Sequence, residues 1–255
     1  MGHPLHTTIR DLRLRRGRER RGLCLAEGVR LVEEAVSAGV EIRSVLVSPA
    51  LETTDRGRAL RASLSKRAAV TEATDAELTD LAATEHPQGV LAVIAPRTWT
   101  LDDIPSSAAT VVVILDAVQD PGNVGTIART AWALGASGIV TLPGTAEITN
   151  PKALRATMGA LFRIPVVAAA PEAAAAWATR RAINVVTTSA DGTPLDQATL
   201  RKPLAFVLGN EGQGAQSALA RAAATRVAIP LAAGAESLNV AVAAGILLYG
   251  VLRGR

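Results

Sequence analysis

The stretch Thr110-Val111-Val112-Val113-Ile114-Leu115-Asp116-Ala117-Val118-Gln119-Asp120-Pro121-Gly122-Asn123-Val124-Gly125-Thr126-Ile127-Ala128-Arg129 sets the fold class. Residues 110–115 form the uninterrupted apolar run expected of a strand covered on both faces. A polar turn follows, and a helix begins near Asn123, a good N-cap residue. Downstream the patterns keep alternating: helix 123–134, strand 138–142, helix 151–158, strands 183–188, 204–208 and 226–229, and helix 238–252. That order predicts an α/β domain over 110–255 with a parallel sheet and helices on both faces. The alanine-rich stretch 168–178 reads as helix filler, and no internal repeat is present.

Upstream, residues 96–109 carry Pro96, Pro105, Ser106 and Ser107 beside Asp102 and Asp103, and read as a linker. Before it, residues 1–95 read as a smaller α/β domain with strands 22–27, 42–48 and 89–95. Helices fall at 29–38, 56–66 and 75–83. The first of these places Val29, Leu31, Val32, Ala35 and Val36 at helical spacing and stops at Gly39.

At 255 residues, with 49% apolar and 20% charged side chains, the chain has a globular rather than a disordered composition. Aromatics are 2%, too few for recognition of nucleic acid by base stacking. A lone Cys24 excludes a disulfide framework and a cysteine zinc site, and His3, His6 and His86 lack metal-ligand spacing. The longest apolar run, within 238–252, falls short of the ~20 residues of a membrane helix. The Arg-rich N-terminus lacks a signal peptide's apolar core, so a cytoplasmic protein is expected. The first 21 residues hold seven arginines, including Arg13, Arg15, Arg16, Arg18 and Arg20, against Asp11 and Glu19, a net +5. Such an arm attracts phosphate backbones. Only three of the 27 basic residues are lysine, so a chain-wide arginine preference also contributes to this run.

In parallel sheets ligands bind beyond the carboxyl ends of strands, and three loops qualify. The first, 116–129, places Arg129 nearly two turns into a helix otherwise apolar at Ile127, Trp132 and Leu134, where a buried charge would need a partner. Its Gly122 and Gly125 do not complete G-x-G-x-x-G, and Thr141 and Leu142 stand where a dinucleotide site has an acid. The second, Leu208-Gly209-Asn210-Glu211-Gly212-Gln213-Gly214, lets backbone approach a ligand and carries one carboxylate able to bind a cation such as an arginine. In the third, Ile229-Pro230 leads to Ser237-Leu238-Asn239-Val240-Ala241-Val242-Ala243, where Ser237 can cap the last helix. Each alone also reads as ordinary structure: a capped helix with a surface arginine, a glycine turn, a capped core helix.

Together and in this order, N-x5-R, L-G-N-E-G-x-G and I-P-x6-S-L-N-V-A-V-A resemble the three signature motifs of the SpoU (TrmH-like) RNA ribose 2′-O-methyltransferases of the SPOUT superfamily. The stretch from Pro151 to Pro165 is similar to that family as well, with Thr157 where serine is usual; Gly250 stands where the last helix often has glutamate. The likeness covers 110–252 strongly, while 1–95 resembles, through weaker motifs, the family's substrate-binding domain, which is related to a ribosomal-protein fold.

The resemblance implies a deep trefoil knot in the C-terminal sheet, S-adenosylmethionine as cofactor, no metal, and a homodimer through the catalytic domain. It implies contacts to the cofactor from Thr188, Gly209, Ile229 and Leu238. Arg129, Asn123, Glu211, Ser237 and Asn239 match catalytic positions. Arg129 would act as general base or, since guanidinium scarcely deprotonates, would orient the ribose and stabilise its developing oxyanion. Glu211 would hold that arginine. The implied substrate is structured RNA, foremost large-subunit ribosomal RNA, gripped by Arg13, Arg15, Arg16, Arg18 and Arg20. Transfer RNA as target, or a non-catalytic RNA-binding protein on the same fold, are the alternatives.

Overall fold

The computed structural model describes residues 4–210 and 214–253, which gather into two compact units. The first comprises Met1–Arg97 and takes in Thr149–Phe162, a stretch that the linear reading assigns to the C-terminal domain. The second comprises Thr98–Ile148 and Arg163–Arg255.

The first unit opens with α1 (Pro4–Leu12) and α2 (Arg15–Arg21), followed by β1 (Cys24–Glu27), α3 (Val29–Ser37) and β2 (Glu41–Val47). Then come α4 (Asp55–Leu64), β3 (Ala69–Glu72), α5 (Asp75–Leu81) and β4 (Val90–Ala95). The strands form one sheet in the order β1-β4-β2-β3, with β2 and β3 parallel and the other pairs antiparallel.

The N-terminal run is therefore not an extended arm. Leu5, Ile9 and Leu12, spaced four and three apart, form one face of α1 and enter the core with Leu25, Leu46, Leu78 and Leu91. Gly17 makes the α1–α2 corner possible, because a Cβ there would lie 2.1 Å from the Asp11 carbonyl oxygen. Arg18 is 4% exposed and donates through Nη1 to the carbonyls of Leu12 (2.9 Å) and Arg13 (3.0 Å). It thereby satisfies carbonyls that the end of α1 leaves open. The expectation that Arg18 grips RNA phosphate is corrected: its charge is spent inside the fold. Arg20 and Arg21 both bind Asp11, at 2.8 and 2.6 Å, and Arg15 pairs with Glu19 at 2.7 Å.

The second unit contains β5 (Val111–Asp116), α6 (Pro121–Leu134) and β6 (Gly138–Thr141). The chain then passes through α7 (Pro151–Thr157) of the first unit. There Arg155 meets the buried Glu27 carboxylate at 3.3 Å. It continues with β7 (Val166–Ala168), α8 (Pro171–Arg180), β8 (Asn184–Pro194), β9 (Leu204–Gly209), α9 (Ala218–Arg221), β10 (Thr225–Ala228) and α10 (Val240–Leu252).

All six strands are parallel, in the order β10-β8-β9-β5-β6-β7. Alternation along the fully buried β5 divides the core. Val111, Val113 and Leu115 pack with α6 and α10, whereas Val112 and Ile114 join Trp177 of α8 and Leu219 of α9. Helices cover both faces, as the apolar run requires. The stretch read as a linker holds Ile104, 1% exposed within the second core cluster.

Candidate active site

The carboxyl ends of β5, β9 and β10 carry the three loops, and hydrogen bonds join them. β5 ends at Asp116, 6% exposed, whose carboxylate accepts from the Ser217 backbone N–H at 2.7 Å. Ala117 follows in the left-handed region (φ 58°), and its carbonyl accepts from Asn210 Nδ2 at 3.3 Å. The first loop is thus tied to the second.

The N-cap of α6 is Asp120, not Asn123: Asp120 accepts from the Asn123 N–H at 2.9 Å, with Pro121 at the first helical position. The Asn123 side chain serves instead as a link between loops, its Oδ1 accepting from Asn239 Nδ2 at 3.1 Å. Asn239, rather than Ser237, caps α10, its Oδ1 accepting from Ala241 N (2.9 Å) and Val242 N (3.3 Å). One asparagine therefore starts the last helix and fastens the third loop to the first.

The described ends of the second loop meet. Asn210 and Gly214 exchange backbone hydrogen bonds of 3.2 and 2.8 Å, and a Cβ on Gly209 would sit 1.9 Å from Ala215 N. Only glycine allows that approach. Glu211 lies outside the described residues.

Beside these loops is a cavity of about 640 Å³, within the range of small-molecule sites. Thr188, Ile229, Ser237 and Leu238 line it, as do Leu231, Arg221, Arg226 and Glu236, which the sequence reading did not single out. Another wall comes from an excursion of β8. Adjacent β10 residues Arg226 and Val227 pair with Thr187 and Thr193, so 188–192 loop outward between them. Gly192 permits this, since a Cβ there would lie 2.6 Å from the Val227 carbonyl carbon. An Asp191-Gly192 pair is a turn signal that a strand ending at Thr188 passes over. The Ser189 hydroxyl, then the Asp191 backbone N–H and the Arg226 charge, hold the Asp191 carboxyl below its ordinary 3.8.

Arg129 is exposed, lies outside the cavity wall and makes no hydrogen bond or ion pair among the described residues. It faces solvent on α6, as in the surface-arginine reading of this helix, and Glu211, the partner expected for it, lies outside the described residues. Trp132, one turn further, is 41% exposed, with the Arg163 guanidinium 5.7 Å from its ring centroid. On α10 the exposed Val242, Ile246 and Tyr249 share one face at helical spacing. Among the described residues no group of three His, Cys, Asp or Glu could hold a metal, and no helix is long and apolar enough to cross a membrane.

Residues 110–249 match the profile of the SpoU rRNA methylase family, and 7–92 that of the MRM3-like substrate binding domain. The chain belongs to the SpoU family. Its parallel sheet and N-terminal domain agree with that family's knotted architecture. A Bacillus subtilis relative, the 23S rRNA (guanosine(2553)-2′-O)-methyltransferase RlmP, is 33% identical over 94% of this chain and 92% of its own. A Streptomyces viridochromogenes 23S rRNA (uridine(2479)-2′-O)-methyltransferase is 33% identical over 94% and 86%. The crystal structure of the SpoU methyltransferase AviRb from Streptomyces viridochromogenes, in complex with the cofactor AdoMet, superposes with a TM-score of 0.90 at 31% identity, covering 99% and 98% of the two chains.

Proposed function

We propose that this SpoU protein transfers a methyl group from S-adenosylmethionine to a ribose 2′-hydroxyl of ribosomal RNA. The observation that carries the reading is the junction of the three family loops, through Asn210–Ala117 and Asn239–Asn123, beside a cavity lined by Gly214 of the second and by Ile229, Ser237 and Leu238 of the third. The cavity suits the cofactor in chemistry as well as size. Ile229, Leu231 and Leu238 offer apolar walls for an adenosine, and the Thr188 hydroxyl and charged side chains offer polar contacts.

The bound cofactor supplies a methyl group on a sulfonium, whose positive charge is lost as the methyl leaves. The protein's task is to place the attacking hydroxyl in line and to carry the charge that grows on its oxygen. Arg129 suits the second task, with permanently charged donors that no internal partner occupies among the described residues. Asn123 and Asn239 hold the loops that frame the reacting groups, with Ser237 at the cavity wall and Gly209 shaping the turn behind it. Glu211, in the same motif, is the carboxylate to orient Arg129.

We infer a homodimer through the outward face of α10 and the neighbouring Trp132. The exposed Arg129 of one protomer then serves the cavity of its partner, which accounts for its absence from its own cavity wall. In the first unit, exposed Arg13, Arg15 and Arg16 supply phosphate contacts, while Arg20 is held by Asp11. RlmP and the Streptomyces enzyme both act on 23S rRNA but on different nucleosides, which supports the RNA class and leaves the nucleoside particular to each chain. Mapping 2′-O-methyl positions in total RNA with and without the gene tests the proposal. One ribosomal position should lose its methyl group, and an unchanged map would reject the reading.

A further inference from the structure

Of the cations on the cavity wall, Arg221 is committed, donating through Nη1 to the Gln216 carbonyl. Arg226 is not. Its side chain makes no hydrogen bond among the described residues, and its Nη1 stands 4.0 Å from Asp191 Oδ2, too far for one. Both side chains are more than half exposed, so this loose pair contributes little to stability and is cheaply opened. Its position is nevertheless fixed. Arg226 sits in the sheet opposite Thr187 at the root of the β8 excursion, and Asp191 is bonded to Ser189, which lines the cavity. Arg226 therefore lines the site, and Asp191 stands 4.0 Å from it, beside the lining Ser189, on a loop whose return is pinned at Gly192.

This arrangement complements an amino-acid end, which carries a carboxylate and an ammonium on one carbon. We propose that Arg226 and Asp191 read the amino-acid end of the methyl donor, Arg226 binding its carboxylate and Asp191 its ammonium. The inference rests on the S-adenosylmethionine reading and adds the residues that make the site selective for an intact methionine moiety. The guanidinium fork suits a carboxylate, and a ligand that offers two charge-assisted contacts replaces one loose ion pair.

The test is calorimetric binding to the full chain with three probes: S-adenosylmethionine, its decarboxylated analogue, and 5′-methylthioadenosine, which lacks the amino-acid end. Wild type should bind the decarboxylated donor roughly tenfold more weakly than S-adenosylmethionine. Arg226→Gln should lose about tenfold for S-adenosylmethionine while binding the other two within about twofold of wild type. Asp191→Asn should likewise weaken both ammonium-bearing ligands and leave 5′-methylthioadenosine unchanged. Unchanged 5′-methylthioadenosine binding also shows that each variant is folded. Equal affinity of wild type for the two donors, or an equal loss for all three probes in Arg226→Gln, would overturn the inference and leave the cofactor reading standing. Failure of wild type to bind S-adenosylmethionine would remove both.

Discussion

Arg129 sits where a permanent charge costs least, exposed to solvent on α6, and its five donors remain available to a ligand. Its truncation should therefore leave the fold intact. If it stabilises the oxyanion, Arg129→Ala should lower methyl transfer to RNA by about 10²–10³-fold, the usual effect of removing one such donor. S-adenosylmethionine affinity should stay within about threefold, since the side chain lies outside the cavity wall. Full residual transfer would dismiss its assignment. The residue type and its distance from Asn123 were legible in the sequence, whereas its environment was not. An arginine between Ile127 and Trp132 suggests burial, but the core face of α6 is made by Val124, Ile127, Ala128 and Ala131, and Arg129 lies off that face.

At the scale of elements, α10 depends on Asn239 twice, as N-cap and as the strut to Asn123. Asn123→Ala removes the strut and keeps the cap, while Asn239→Ala removes both. Thermal unfolding should show Asn239→Ala less stable than Asn123→Ala by about 1 kcal/mol, the typical value of a cap, with methyl transfer reduced in both. The α1–α2 corner gives a pH prediction. Arg21 first, then Arg20, hold the Asp11 carboxyl below its ordinary 3.8. A lowered carboxyl stabilises the fold above its unfolded value and loses that contribution as pH falls through the lowered one. Acid unfolding should accordingly be displaced in Asp11→Asn, with the difference from wild type present at neutral pH and lost as pH falls through the lowered value. A constant difference across that range would exclude the linkage. The helices here were hidden in the sequence because seven arginines obscure the Leu5, Ile9, Leu12 face; their ends are settled by Arg18 reaching the carbonyls of Leu12 and Arg13.

At the scale of the molecule, two surfaces remain to be engaged. On the first unit, Arg13, Arg15 and Arg16 are exposed, and replacing all three with alanine should weaken RNA binding. The dependence of affinity on log salt should flatten by roughly 0.7–0.9 for each phosphate that is no longer neutralised. Arg18 is left out of that set because its removal would disturb the helical corner instead. An unaltered slope would make these arginines solvated surface. On the second unit, Ile246→Arg places a charge in the outward face of α10 and should turn the proposed homodimer into monomers in sedimentation velocity. Methyl transfer should fall with it if Arg129 acts across the interface. A variant that stays dimeric would move the interface elsewhere.

The alternation of apolar runs and helical spacings, and the order of three loop motifs, were determined by the sequence alone. These are properties of near neighbours, and an apolar strand such as 111–116 must be covered on both faces wherever it lies. Only the tertiary structure decided that Asn239 both caps and bridges, which arginines are spent on internal carbonyls and carboxylates, and that Arg226 lines the cavity with Asp191 beside it. Those outcomes are competitions between groups far apart in the chain, such as Asn123 and Asn239, 116 residues distant. A side chain able to make several bonds keeps the one that folding brings within about 3 Å.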